Sequence, residues 1–424
     1  MVAMVWVALA VASVVLAEVT RDFYHVAGHT WEPIKQWHNT HHKAFRKDLT
    51  MVSFDAFSRS QWYNDVPEAL VMATIVAIAA IGAGLAFGWA TTWTLWTGVM
   101  YSLAFAVTAI ARSQNRMMWT DLTHEPGPLT DNPSNWFVNR TYHWRHHFDS
   151  GNAYYCGTLT AVDKILGTAL SLQGKTVAVT GASGTLGRAL LKALKAAGAR
   201  PIALTTSPNA DFGPRIPVHQ WRPGQEHELQ KRLANVDILI INHGINEAGE
   251  RSPEAIAKAY EVNTMSAWRL METFLDTVTL SKHRALKEVW VNTSEAEVQP
   301  AFSPLYEISK RVIGDIITLR RLDAPCIIRK MVLGPFKSNL NPIGVMDANF
   351  VARGIVELAK RDFRDIIVTI NPLTYVTFPI KEASKSLYFR LFSKGASKSR
   401  QPNRQYDRPI PQQASAGDRK AKVN

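Results

Sequence analysis

Nine of the thirteen histidines in this 424-residue chain stand in four short segments. His25 and His29 are four apart in HVAGH, and His38, His41 and His42 follow in HNTHH. His124 sits in THEPG, and His143, His146 and His147 in YHWRHH repeat the HNTHH spacing. Five histidines fall between positions 25 and 42, where the chain average allows about 0.55. On a helix, residues three and four apart share a face, so each box projects its imidazoles to one side. A lone histidine is more often a core or surface residue than a ligand, but nine in this pattern reverse those odds. A catalytic zinc takes about three protein ligands, so nine exceed the need of one ion. Neither the HExxH signature nor the paired ExxH pattern of carboxylate-bridged bundles occurs. The residues point to a nitrogen-rich, two-metal site, for which imidazole suits iron, copper, nickel or zinc.

A second set carries different chemistry. The turn TGASGTLG, with Thr180, Gly181, Ser183, Gly184, Thr185, Leu186 and Gly187, follows an apolar run and opens a helical pattern. In that context backbone amides at a helix start can hold a pyrophosphate. Asn242 and Gly244 end a later apolar run in INHG. Tyr306 and Lys310, four apart in LYEISK, share a helix face, and Ser294 lies twelve residues before Tyr306. A phenol with a pKa near 10 needs a neighbouring cation to exchange protons near neutrality. Asn263, in EVNTMSAW, stands where a helix would be kinked or hydrated. Thr205, Thr206 and Ser207 occupy the place of the acidic residue that would hold the 2′-hydroxyl of NAD, which favours NADP(H) over NAD(H), with Arg188 near the turn. The bland alternative is a fold that keeps nucleotide binding without catalysis.

These residues need elements to position them. Met1 to Ala17 is apolar and reaches roughly 25 Å as a helix, a little short of a bilayer core. No Lys or Arg precedes it, which favours a membrane helix over a signal peptide. Val66 to Ala90 and Trp93 to Ala111 read as a transmembrane hairpin that returns the chain to the side it left, so both histidine clusters share one face. Arg21, Lys35, Lys43, Arg46, Lys47 and Arg59 precede the hairpin and no basic residue marks its tip. That places the boxes and the following domain on the cytoplasmic face. From about Thr168 to Lys175 composition and period change. Strands are expected at 175–180, 200–205, 236–242, 288–292, 326–331 and 365–370, alternating with helices. The expected fold is an N-terminal α-helical integral membrane domain over 1–170 and a C-terminal α/β doubly wound Rossmann-type domain over 171–371.

Residues 372–424 form a basic, membrane-proximal segment and tail. NPLTYVTFPIKEASKSLYFRLFSK mixes aromatics with lysines and reads either as a helix on the membrane surface or as an ordinary closing helix. From Gly395 the composition is that of a disordered tail. The net charge of +13 fits a membrane surface, and no nucleic-acid motif accompanies it. Cys156 and Cys326 form no CxxC, so the chain offers no disulfide framework or iron–sulfur site of its own.

HVAGH, HNTHH, THEPG and YHWRHH, followed by DKILGT at 163–168, resemble the histidine boxes of the membrane fatty acid hydroxylase and sterol desaturase superfamily over about residues 20–170. The resemblance implies two Fe ions held by His25, His29, His38, His41, His42, His124, His143, His146 and His147. It further implies O2-dependent hydroxylation or desaturation of a lipid of the fatty acid, sterol or carotenoid class. Electrons would come from a separate ferredoxin- or cytochrome-like donor. Asp48, Asp121, Glu125, Asp149 and Asn139 lie close enough in sequence to orient imidazoles, the alternative being that they are simply solvated. Residues 172–371 resemble the short-chain dehydrogenase/reductase family. By that resemblance Tyr306 is the general acid/base, Lys310 lowers its pKa and binds the ribose, Ser294 holds the substrate oxygen and Asn263 anchors a relay water. The GxxGxxG spacing follows that family's extended branch, whereas YxxSK and the overall length follow its shorter branch. The expectation is a bifunctional membrane oxidoreductase acting on lipid in sequence, the iron site installing oxygen or unsaturation and the nicotinamide site interconverting the resulting alcohol and carbonyl. The alternatives are a reductase anchored by an inactive metal domain and a non-enzymatic lipid-binding scaffold.

Overall fold

The computed structural model describes residues 2–395. The first apolar run does not stop at Ala17: helix α1 spans Val2–Thr30 and carries the first histidine box on its last turns. At 1.5 Å per residue it is about 43 Å long, enough to cross a bilayer and emerge. Its polar extension survives because the charges find partners. Arg21 pairs with Glu18 at 3.2 Å and approaches Glu68 at 3.7 Å, and Asp22 accepts the Gly157 amide at 3.0 Å. Trp31 breaks the helix, and Pro33, at a position that needs no amide, opens α2, Glu32–His42.

Helix α3, Val66–Phe87, ends at Gly88, whose φ of +87° suits glycine. Short turns lead into α4, Trp96–Ser113. Three segments, Val2–Thr30, Phe54–Phe87 and Trp89–Ser113, are helices long and apolar enough to cross a membrane. They meet through Ala17, Met72, Ala73, Val76 and Val99. Gly98 lets α4 approach α1: a Cβ there would lie 2.5 Å from the Ser13 carbonyl oxygen. Helix α5, Arg140–Phe148, carries the last box and is capped by Asn139, whose Oδ1 accepts the Tyr142 amide.

The second half is a parallel sheet. Among the described residues seven strands, β1 (Thr176–Thr180), β2 (Arg200–Thr205), β3 (Val218–Gln220), β4 (Ile238–Ile241), β5 (Glu288–Asn292), β6 (Ile327–Leu333) and β7 (Asp365–Val368), lie in the order β3-β2-β1-β4-β5-β6-β7. Strand β3 is the one the sequence reading missed. At three residues on the sheet edge, none of them buried, it shows no apolar run. Helices α6 (Thr185–Ala196), α7 (Pro253–Tyr260), α8 (Ala267–Leu275), α9 (Pro304–Arg320) and α10 (Ala348–Lys360) connect the strands. α6 and α10 bury their apolar faces on one side of the sheet, and α8 and α9 on the other, which is why the central strands are apolar throughout. Helix α11, Thr374–Phe392, closes the described chain. The tail assigned to disorder lies outside the described residues from position 396 onward.

The histidine-bearing α5 docks on the edge of the sheet where strands begin. The Arg145 guanidinium donates to the Ala285 carbonyl at 2.6 Å and pairs with Glu288, the first residue of β5, at 3.2 Å. Glu288 also pairs with Arg329, which reaches Asp362. Lys175, just before β1, pairs with Asp149. Arg145 and Glu288 side chains are each 1% exposed. Burial alone would raise the Glu288 carboxyl, but Arg329 and Arg145 hold it down to about 2. Thr180 and Ser294 lie at the opposite edge, a strand of five residues or roughly 16 Å away.

Candidate active site and metal centre

The four histidine segments converge. His25 and His29 come from α1, His38, His41 and His42 from α2, His124 from a short turn, and His143, His146 and His147 from α5. They separate into two groups, His25, His29, His38, His42 and His146, and His41, His124, His143 and His147, each with its ligand atoms within 4.8 Å of one another. In the first group Nε2 atoms of His25, His29 and His42 lie 2.9, 3.1 and 3.0 Å from that of His146. In the second, His41, His124 and His143 stand 3.1, 3.2 and 3.1 Å from His147. For metal–nitrogen bonds of roughly 2.1 Å, neighbouring ligands of an octahedron are about 3.0 Å apart, so the donor set fits two cations.

The far ring nitrogens fix the orientation. Nδ1 of His38 meets Asn64 Oδ1 at 2.8 Å, Nδ1 of His124 meets Asp121 at 2.7 Å, and Nδ1 of His146 meets the Ala153 carbonyl at 2.9 Å. Such contacts hold the proton on Nδ1 and turn the Nε2 lone pair inward. Burial pushes the imidazoles of His41, His143, His146 and His147 well below their ordinary range, His38 down to about 4 and His42 to about 3. Neutral imidazoles are the form that binds a metal.

Of the proposed orienting residues, Asp121 does this work and four others do not. Asn139 caps α5, Asp149 binds Lys175 and Tyr154, and Asp48 accepts from Thr50. The Glu125 side chain is exposed, and its carbonyl accepts from Arg140. Sequence proximity misled here because Asn139 and Asp149 sit at the two ends of α5, off its histidine face, and Asp48 and Glu125 lie on turns and loops outside it. Asn64, Ala153 and Tyr155, whose ring packs against His25, His29 and His146, were missed. For Asn64 a signal existed: a polar Asn-Asp pair directly before the second apolar run.

At the other edge of the sheet the glycine turn links β1 to α6. Gly181 has φ +58°, and a Cβ on Gly187 would lie 2.1 Å from the Gly181 carbonyl oxygen, so both positions require glycine. Gly184 caps α6, and Thr185 begins it. Leu186 is buried in the core and packs the turn. Thr180 Oγ1 accepts the Asn242 amide at 2.9 Å, tying β1 to β4. Ser183 Oγ accepts from Thr205 at 3.1 Å and lies 3.4 Å from Ser207 Oγ. Arg188 donates to the carbonyls of Ser183 and Asp211, so it does flank the turn.

Asn263 sits in a π-helical turn, Glu261–Ser266, the irregularity its sequence context suggested. Its amide donates to the Ile245 carbonyl at 3.0 Å and accepts the Ile245 N–H at 2.8 Å, and a Cβ on Gly244 would come within 3.1 Å of it. Lys310 Nζ donates to the Asn292 carbonyl at 2.9 Å and stands 5.8 Å from the centre of the Tyr306 ring. Tyr306 shares a hydrogen bond with Ser294. Burial raises the phenol, and that bond opposes the rise. Burial lowers Lys310 to about 8 against the attraction of Glu297. Ser294 has φ +84° and ψ 150°, a conformation nearly confined to glycine, and its Oγ is held by the Ala296 amide. Backbone strain of this kind concentrates at working sites. His243, missed by the sequence reading, is held by Thr180 Oγ1 at 2.8 Å and packs against Trp221.

A parallel sheet with a glycine turn after β1 and a Ser–Tyr–Lys set beyond β5 defines a nicotinamide-dependent enzyme of the dehydrogenase/epimerase type. Residues 177–298 match the model of the NAD dependent epimerase/dehydratase family. A monoglucosyldiacylglycerol epimerase of Synechocystis sp. (strain ATCC 27184 / PCC 6803 / Kazusa) is 54% identical over 410 residues, covering 92% of this chain and 99% of that protein. The chain belongs to the monoglucosyldiacylglycerol epimerase family. Among solved structures, a short-chain dehydrogenase from Burkholderia cenocepacia in complex with NADP matches 53% of this chain and all of its own, at 18% identity and TM-score 0.44. An alcohol dehydrogenase from Thermococcus sibiricus complexed with 5-hydroxy-NADP covers 46% of this chain and 96% of its own, at 19% identity and TM-score 0.41. The whole-length relative is named for epimerisation, not for hydroxylation or desaturation.

Proposed function

We propose that the chain inverts one carbinol centre in the glucosyl headgroup of a monoglucosyl diacylglycerol at the Ser294–Tyr306–Lys310 site. The carrying observation is this set, placed beside the glycine turn, in a chain whose relative is named for that reaction. A bound nicotinamide, NADP(H) in preference to NAD(H), supplies a two-electron acceptor that later returns the same electrons. Ser294 Oγ hydrogen-bonds the sugar hydroxyl. Tyr306 takes the hydroxyl proton as the carbinol becomes a ketone, with Lys310 stabilising the phenolate. The ketone then presents its other face, and Tyr306 gives the proton back. Asn263 and the Ile245 carbonyl hold the relay that keeps Tyr306 in exchange with solvent. No net oxidation results, so the cofactor stays catalytic.

A second reading rests on the convergence of nine Nε2 atoms into two groups. His25, His29, His38, His42 and His146 would hold one iron, and His41, His124, His143 and His147 the other. Two irons there would supply O2 chemistry for hydroxylation or desaturation of a lipid, with electrons from a ferredoxin- or cytochrome-like partner. Against a sequential scheme stands the separation of the centres on opposite edges of the sheet. A metal domain that serves only as a folded anchor is the remaining alternative. The basic residues around the boxes support a cytoplasmic position for both centres. The test is the lipid extract of a host that makes monoglucosyl diacylglycerol. The wild-type chain yields the headgroup epimer and Tyr306→Phe does not. An unchanged epimer yield in the variant, or a hydroxylated or desaturated lipid as the sole product, overturns the first reading.

A further inference from the structure

Helix α11 has two unlike faces. Thr374, Phe378 and Glu382 are buried against the sheet and α9. On the opposite side Leu373, Val376, Ile380, Ala383, Leu387 and Leu391 are exposed, a helical stripe with spacings of three and four. Leu391 is 67% exposed and Phe392 beside it 75%. Nothing in the described chain covers this stripe.

The direction of α11 says what could. Its first residue, Thr374, hydrogen-bonds Glu295, just beyond the end of β5. Eight residues on, Glu382 pairs with Arg321, whose other partner, Asp365, begins β7. The helix therefore descends from the nicotinamide edge of the sheet toward the edge on which the histidine-bearing α5 docks. Arg390 and Lys394 are exposed at its lower end, and positions 396–424 carry seven lysines and arginines against two aspartates. At the upper end the apolar surface continues. Gln299 contacts Thr377, and Phe302, three residues further, is 95% exposed. Ser303 reaches Asn246, which in turn contacts the Leu340 carbonyl, so this surface borders the loops over the site.

We propose that the outward face of α11 lies on an anionic lipid surface, that of the bilayer its own spans enter. An apolar stripe flanked by cations suits the interface, where apolar burial and attraction to anionic headgroups add. With the epimerase reading, on which this consequence rests, the Phe302 rim lets a glycolipid headgroup enter the site while its acyl chains stay in the bilayer.

The test uses full-length chain in vesicles of phosphatidylcholine with phosphatidylglycerol. Ile380→Cys and Leu391→Cys carry an environment-sensitive fluorophore, with Lys192→Cys on α6, across the sheet, as the reference. Cys156 and Cys326 are buried and stay unlabelled. The expected result is several-fold stronger quenching at 380 and 391 by spin-labelled lipid, and weaker quenching by iodide, than at 192. Equal behaviour at all three positions overturns the proposal. Protection from both quenchers, with self-quenching that rises with protein density, shows a second copy on the face and also overturns it. Full lipid quenching without phosphatidylglycerol overturns the anionic part. The readout needs no turnover, so it stands or falls apart from the epimerase reading.

Discussion

The histidine centre collects nine imidazoles from four segments spread over residues 25–147, whereas the nicotinamide site takes its groups from the turns after β1, β4 and β5 and from helices packed on the same sheet, α9 among them. In the first, His38, His124 and His146 are each oriented by a different partner, Asn64, Asp121 and the Ala153 carbonyl. In the second, the fold itself does the placing, since parallel strands deliver their C-terminal ends to one edge. The two are joined by α5, whose His146 faces the histidine cluster while Arg145 reaches Glu288 at the start of β5. The contrast teaches that the centres share a support without sharing a cavity.

Breaking one centre should therefore leave the other. Tyr306→Phe is expected to lower epimer formation about 10²- to 10⁴-fold while metal content, read by elemental analysis, stays at the wild-type value. Arg145→Met tests the joint. It removes one partner of a buried cluster, with an expected cost of about 3 kcal/mol, seen as a lower unfolding midpoint in calorimetry. If the midpoint does not move, the joint is not structural. Asn64→Ala frees the His38 ring, and metal affinity should fall roughly 10- to 100-fold with nicotinamide binding unchanged by titration.

The joint should also show acid sensitivity. Glu288 is held at about 2 against an ordinary 4.5. A depressed carboxyl contributes stability above its unfolded value and loses it as pH falls through the folded one. The contribution, on the order of 3 kcal/mol, is complete above about pH 4.5 and disappears toward pH 2. Acid unfolding followed by circular dichroism checks it: Glu288→Gln, itself less stable, should flatten that part of the curve.

Legibility followed the same division. The histidines were readable because HNTHH and YHWRHH repeat a helical spacing, and the sheet because its strands are apolar and its glycine turn has a steric cause at Gly187. Partners set by tertiary approach were not readable. Asn64 reaches His38 from another helix, and Asn139 and Asp149 turn away despite their nearness in sequence. The extension of α1 to Thr30 escaped because a run of Glu18, Arg21 and Asp22 looks like an exit from the membrane until Glu68 and the Gly157 amide are seen to meet it. The reaction was not readable either: a Ser–Tyr–Lys set is common to reduction and to epimerisation, and the substrate decides which.

The stoichiometry of turnover tests the central claim most directly. The purified chain, in lipid vesicles containing monoglucosyl diacylglycerol deuterated at the sugar carbinols, is followed for epimer, nicotinamide and O2 together. The predicted result is an epimer that keeps its deuterium, formed over many turnovers with a trace of cofactor and no O2 uptake. One nicotinamide and one O2 consumed for each lipid converted would contradict it.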